Sequence, residues 1–205
     1  MASDEDLLAG VAGGDRGAFA TLFRRRRPDV YRFALHLMGE PAAADDVTQD
    51  VFVAVMRDAA RYERGRSSVA AWLCGIARNH ARRRLERDKR LVAFDVDEDD
   101  TPIEIGAADV DPLADLTRAE GLEALRRAVL SLPLRYREAV VACDLQELSY
   151  VEAADALGCA VGTVRSRLHR GRALLASKLG VLDRSAGTAR EAQPGRSGQA
   201  RVILI

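Results

Sequence analysis

Cysteine is scarce in this 205-residue chain, and the three present cannot all pair. Cys74, Cys143 and Cys159 also lack the close spacing of a metal-ligand cluster. A disulfide framework and a zinc site are therefore excluded as organising features, and a reduced, cytoplasmic setting with plainly buried cysteines is expected. No run approaches the roughly 18 apolar residues of a membrane span. The first residues, MASDEDLLAG, are acidic where a secretory leader is basic, so neither secretion nor membrane insertion is expected. Converging carboxylates, a His/Cys cluster and an activated nucleophile are also missing, so no enzymatic role, cofactor or metal is expected. The last absence is net charge, with 31 Lys+Arg against 31 Asp+Glu. As an average, that balance argues against a polyanionic partner.

The average conceals a division. Residues 1–90 carry 17 basic and 13 acidic side chains, a net of +4. Residues 91–117 carry nine acids and no Lys or Arg, and residues 118–180 carry ten bases against seven acids. Two basic blocks thus flank an acidic strap, a distribution that raises the question of nucleic acid. Hydrophobic content of 48% and charged content of 30% fit a folded chain of one or two domains with a real core.

The first block, 1–93, reads as almost entirely helical. Asp15 is placed to cap a helix through Leu37, with Phe19, Leu22, Phe23, Val30, Phe33, Ala34 and Leu37 along its apolar stripe; Pro28 predicts a kink or break. Gly39 ends it, and Pro41 suits the first turn of a helix running to about Tyr62. On that helix Val47, Val51, Ala54 and Val55 share one side, and Asp46, Gln49, Asp50 and Val53 another. After the loop RGRSS, Ser67 or Ser68 can cap a helix from Val69 to about Leu91, with Trp72, Leu73, Ile76 and Ala77 inward and Arg78, Asn79, Arg82 and Arg83 pointing elsewhere. Residues 94–114 are acidic, contain two prolines and lack periodicity, which predicts an extended, flexible linker. A second helical block occupies 115–180, and 181–205 reads as a disordered tail.

The strongest local signal lies in LSYVEAADALGCAVGTVRSRLHRGRALLASKL. Ser149 and Glu152 form a capping box, and the short helix that follows is read as burying Val151, Ala154 and Leu157. Gly158 supplies a tight turn. The next helix begins near Val161, turns Val164, Leu168 and Leu175 inward, and leaves Arg165, Ser166, His169, Arg170 and Arg172 outside. A short helix, a glycine turn and a basic helix make the helix-turn-helix pattern, whose second helix fits the major groove, where Arg forks onto guanine. A small helical bundle with solvated arginines is the plainer alternative.

With both blocks in view, the chain resembles the extracytoplasmic-function (ECF) class of bacterial sigma factors. ADDVTQDVFVAV and AAWLCGIARNHARRRL look like sigma region 2; LPLRYREAVVACDLQELSYVEAADALGCAVGTVRSRLHRGRALL looks like region 4. The resemblance covers approximately residues 5–93 and 115–179. It implies an all-α fold of two helical domains, the second a helix-turn-helix domain, in a transcription initiation factor that binds core RNA polymerase and promoter DNA.

Residue by residue, the resemblance implies that Asp46, Gln49 and Asp50, with Phe52 or Val53 as apolar anchor, dock on the β′ clamp helices. Ser67 and Ser68 belong to the loop that captures an unstacked −10 base. YERGRSS departs from the family's aromatic–Arg–Gly arrangement by one extra residue. Asn79 matches a region 2.4 position, and Arg78, Arg82 and Arg83 would contact phosphates. Arg165, Ser166, His169 and Arg170 are the implied −35 contacts. The second block would also meet the β flap, and an anti-sigma factor would cover both blocks. The linker is either a mimic of RNA in the polymerase exit path or a plain spacer. The rival reading is a helix-turn-helix regulator without sigma activity, which would need a sensory domain where the first block offers only helices.

Overall fold

The computed structural model describes residues 2–92 and 118–187, and over them the chain is helical with no strand. The acidic linker and residues 188–205 lie outside the described residues. The first block consists of α1 (Asp4–Ala12), α2 (Arg16–Met38), α3 (Pro41–Asp58) closed by a 3₁₀ turn at Ala59–Arg61, and α4 (Val69–Val92). The second consists of α5 (Arg118–Leu130), α6 (Leu134–Val140) continuing into a π turn at Val141–Leu145, α7 (Tyr150–Leu157) and α8 (Val161–Gly187).

Local chemistry sets most of the boundaries. Ser3 and Asp6 build a capping box that starts α1, and Leu7, Leu8 and Val11 form the face it buries. Asp15 caps α2 by accepting from the Gly17 and Ala18 amides at 2.7 and 3.1 Å. α2 then runs unbroken through Pro28. Pro28 is exposed, so water can replace the missing backbone amide there. Gly39 ends α2 at φ +78°, a conformation that suits glycine. Ser68, rather than Ser67, caps α4: its Oγ accepts from the Ala71 amide at 3.3 Å.

α2 packs on α3 and α4 to form the first bundle, and α6 packs on α8 and α7 in the second. The two blocks also pack on each other, with α4 against α7 and α2 against α5 and the π turn. Arg137 ties this seam by donating to the Leu37 carbonyl, at the end of α2, at 2.7 Å. The core is accordingly continuous: Leu22, Phe33, Val51 and Leu73 belong to one apolar cluster with Val129, Leu132, Val140, Leu157 and Leu168. Each such fully buried side chain contributes about 1.5–3 kcal/mol of transfer free energy, against the entropy of ordering it.

Three sequence expectations change besides the break at Pro28. Val151 is 62% exposed, because α7 buries the opposite side, Ala153, Ala156 and Leu157, between α8 and α4. Phe52 is only 3% exposed, since α3 is covered from two sides and the ring packs edge-on to Phe23 at 4.7 Å and Phe19 at 6.3 Å. α8 continues past Gly180, where the sequence suggests that the domain ends, to Gly187.

Candidate nucleic-acid interface

The second block presents its reading helix on a turn fixed by Gly158, which sits in the left-handed region at φ +59°. Its amide closes α7 by donating to the Ala154 and Asp155 carbonyls. Val164 and Leu168 anchor α8 in the core. A second close approach holds the helix: a Cβ at Gly171 would stand 2.7 Å from Val140 Cγ2 and 3.3 Å from the Tyr136 carbonyl oxygen, so α8 packs tightly on α6. What remains outward is Arg165, Ser166, His169 and Arg170, all exposed and brought together by the i, i+4 repeat. The Arg165 guanidinium lies 5.6 Å from the centroid of the Tyr150 ring. Arg170 hydrogen-bonds the Tyr136 hydroxyl and so lowers its pKa from the ordinary phenol value. Arg172 is drawn aside by Asp144, Nε to Oδ2 at 3.0 Å.

Of the first block's candidate DNA residues, Ser67, Arg78 and Asn79 line a cavity of about 350 Å³, and Ser68, Arg82 and Arg83 lie outside its lining. Tyr62 and Trp72 stand edge to face at 5.7 Å in its wall. The Tyr62 hydroxyl donates to the Ser67 carbonyl at 2.6 Å, and its pKa is pushed up to about 12 by burial and by the Glu5 carboxylate. Asn79 and Arg83 are exposed. Arg78 is not free-standing as the sequence suggests: its side chain is 11% exposed, with Nε 3.0 Å from Glu138 of α6. Arg82 Nε approaches the same carboxylate at 3.2 Å. Ser68 hydrogen-bonds Glu152 of α7, which lowers the pKa of that carboxyl.

On α3 the candidate polymerase face carries Asp46, Gln49, Asp50 and Val53, all exposed. Asp46 is paired with Arg84 at 2.6 Å, and Asp50 lies 3.4 Å from His80 Nδ1. With Phe52 buried, the apolar side chains available on this face are Val53 and Met56, 56% and 55% exposed. Among the described residues no group of His, Cys, Asp and Glu could hold a metal ion, and no helix is long and apolar enough to cross a membrane.

Comparison with known proteins supplies the family. Residues 22–91 match the model of Sigma-70 region 2, and residues 122–175 that of Sigma-70 region 4. The ECF RNA polymerase sigma factor SigM of Mycobacterium tuberculosis is 40% identical over 182 residues, covering 88% of this chain and 87% of SigM. The chain belongs to the ECF sigma factors. Its role is transcription initiation. The sigma factor CarQ of Myxococcus xanthus is 34% identical, over 83% of this chain and 94% of CarQ. Two solved structures are similar, each at 27% identity: the sigma factor RpoE in complex with the anti-sigma factor NepR from Bartonella quintana, and CnrH in complex with the cytosolic domain of CnrY. Their TM-scores are 0.61 and 0.64, and they cover 80% and 87% of this chain and 97% of each counterpart. These relatives are sigma factors, a class without enzymatic activity, and the regulator reading finds no support among them.

Sequence reasoning about this sigma factor missed Tyr62, Met56, Tyr150 and Glu138. Met56 was within reach, three residues beyond Val53 on the same helical face. Tyr62 borders the loop it braces. Glu138 carries a signal too, a carboxylate immediately before the apolar run AVVA, yet only tertiary packing shows what it meets.

Proposed function

We propose that this sigma factor binds core RNA polymerase and directs it to promoters with two separated elements. Its first domain, 1–93, reads and melts the −10 element; its second, from 115 to the end of α8, reads the −35 element; residues 94–114 connect them. The protein performs no catalytic step itself and acts in the cytoplasm. In the −35 element, Arg165 and Arg170 contact base edges, with Ser166 and His169 beside them. In the −10 element, a displaced base enters the cavity beside Ser67, Ser68 and Trp72, while Asn79, Arg78, Arg82 and Arg83 hold the strand and its phosphates.

Asp46, Gln49, Asp50, Val53 and Met56 form the surface for the β′ clamp helices, an apolar pair ringed by polar groups. The second domain also meets the β flap. Because a similar solved structure holds the sigma factor RpoE with the anti-sigma factor NepR, this chain is expected to have such a partner as well. The observation that carries the reading is the outward row Arg165, Ser166, His169 and Arg170 on α8, in a chain whose blocks match regions 2 and 4 in order.

The test is reconstitution with core RNA polymerase on a library of promoter fragments, followed by run-off transcription. Specific start sites that appear only with the protein support the reading; their absence overturns it. Sequencing the bound DNA then gives the preferred elements. An Arg165→Ala/Arg170→Ala chain that selects the same −35 sequences as the parent would overturn the assignment of α8.

A further inference from the structure

Two of the three arginines expected to hold the −10 backbone, Arg78 and Arg82, already face a carboxylate, while Arg83 is exposed. Glu138 has no exposed surface, and its Oε1 lies 3.0 Å from Arg78 Nε and 3.2 Å from Arg82 Nε. A carboxylate and a phosphodiester present the same charge and similar paired oxygens to guanidinium groups. We propose that Glu138 is a built-in substitute for a DNA phosphate, through which the second domain masks the −10 surface of the free chain. The proposal rests on the −10 assignment made above.

Three further contacts place the second domain over that surface. Asp155 and Ala156 of α7, with the turn residue Gly158, complete the wall of the cavity that Ser67, Trp72, Arg78 and Asn79 line. Glu152 hydrogen-bonds Ser68. Gly75 of α4 lies so near α7 that a Cβ there would be 3.4 Å from the Ala156 carbonyl oxygen. With Arg78 only 11% exposed, a DNA strand reaches it only after α4 and α7 part.

The latch is also built to release. Neither Glu138 oxygen, nor Arg78 Nε, has an aligned hydrogen-bond partner. The ions are close without good N–H···O geometry, and a buried pair of this kind gains little over its desolvation cost. Exchanging the carboxylate for solvent on one side and phosphate on the other improves the bonding of both. Polymerase, by setting the two domains at promoter spacing, would supply the separation.

The test measures binding of the free, full-length chain to a short fluorescent single strand of mixed sequence by anisotropy, with the radius of gyration from small-angle scattering. Glu138→Gln is expected to tighten binding at least about fivefold at low salt, where phosphate contacts count most, and to enlarge the radius. Adding Arg78→Gln and Arg82→Gln should return binding to the parent level. Gly75→Leu, which wedges α4 from α7 and leaves every charge in place, is expected to reproduce the gain and covers the case in which Glu138→Gln fails to fold. No gain from a folded Glu138→Gln or from Gly75→Leu overturns the proposal. The polymerase-bound Arg78→Gln/Arg82→Gln chain is assayed for promoter melting in parallel. Unchanged melting would overturn the −10 assignment and the proposal with it; lost melting without a gain in free-chain binding would overturn the latch alone.

Discussion

α4 and α8 are both basic helices expected to face DNA, yet the fold treats them differently. The row Arg165, Ser166, His169 and Arg170 on α8 is exposed, and the recorded contacts of its arginines, with Tyr150 and Tyr136, come from its own domain. On α4, Asn79 and Arg83 are exposed, while Arg78 and Arg82 meet a carboxylate from the other domain. The helix proposed to read duplex is therefore open in the free chain, and the one proposed to read separated strands is partly covered. Charge composition cannot distinguish the two surfaces; packing does.

The sharpest way to break this contrast is to pin the seam. Gly75→Cys with Ala156→Cys, in a chain carrying Cys143→Ser and Cys159→Ser, brings two thiols within bridging reach. Once oxidised, the polymerase-bound protein is expected to lose promoter melting, read by permanganate reactivity, almost completely, since no open population remains. Reductant should restore it. Equal melting in both redox states would show that α4 is as available as α8.

Next in size, Arg165→Ala or Arg170→Ala should each cost about 2 kcal/mol, some 30-fold, in binding of the polymerase-bound protein to a −35 duplex. Neither should alter free-chain binding to a mixed-sequence single strand. A similar loss on both probes would mean that the two surfaces are not separate readers.

Asp46→Asn with Asp50→Asn tests a third surface, open like α8 but facing protein. Exposed charges chiefly steer encounter, so association with core polymerase should slow a few-fold at low salt and recover at high salt in stopped-flow traces.

The smallest effect concerns acid. Burial holds the His36 pKa below its ordinary value, with Arg126 of α5 and Arg32 of α2 adding repulsion. The unfolded chain therefore binds a proton that the folded chain resists, and stability falls as pH drops through the ordinary histidine range near 6.5. Urea midpoints at neutral and mildly acidic pH should diverge less in His36→Gln than in the parent. An unchanged divergence would remove His36 from the acid sensitivity of the seam.

The fold was readable wherever a boundary rests on neighbours in sequence. Asp15, Gly39, Ser149 with Glu152, and Gly158 each act within a few residues, and the helices they delimit lie where the pattern places them. α1 escaped separate notice because its box, Ser3 with Asp6, uses Asp where the pattern sought Glu or Gln. The misjudged residues are those whose surroundings come from distant segments. Phe52 is covered because Phe19 and Phe23 arrive from α2, and Val151 is left out because α4 draws the other face of α7 inward. Arg78 looked like any outward arginine because its partner lies 60 positions away in sequence. Of the proposed site, the α8 row and most of the α3 face were legible, and the closure over α4 was not.

The two acids that cross from the second domain to α4 differ in what separation leaves behind. Glu152 retains the Ser149 amide and hydroxyl at 2.9 and 2.7 Å, and Ser68 retains the Ala71 amide. That end of the seam can part with both groups still satisfied. Glu138 has no comparable fallback within its own helix, so its end holds until water or a replacement anion arrives. On the proposed latch, undocking would peel from the start of α7 toward α6. The last contact to yield would be the one whose release frees the arginines for a new occupant.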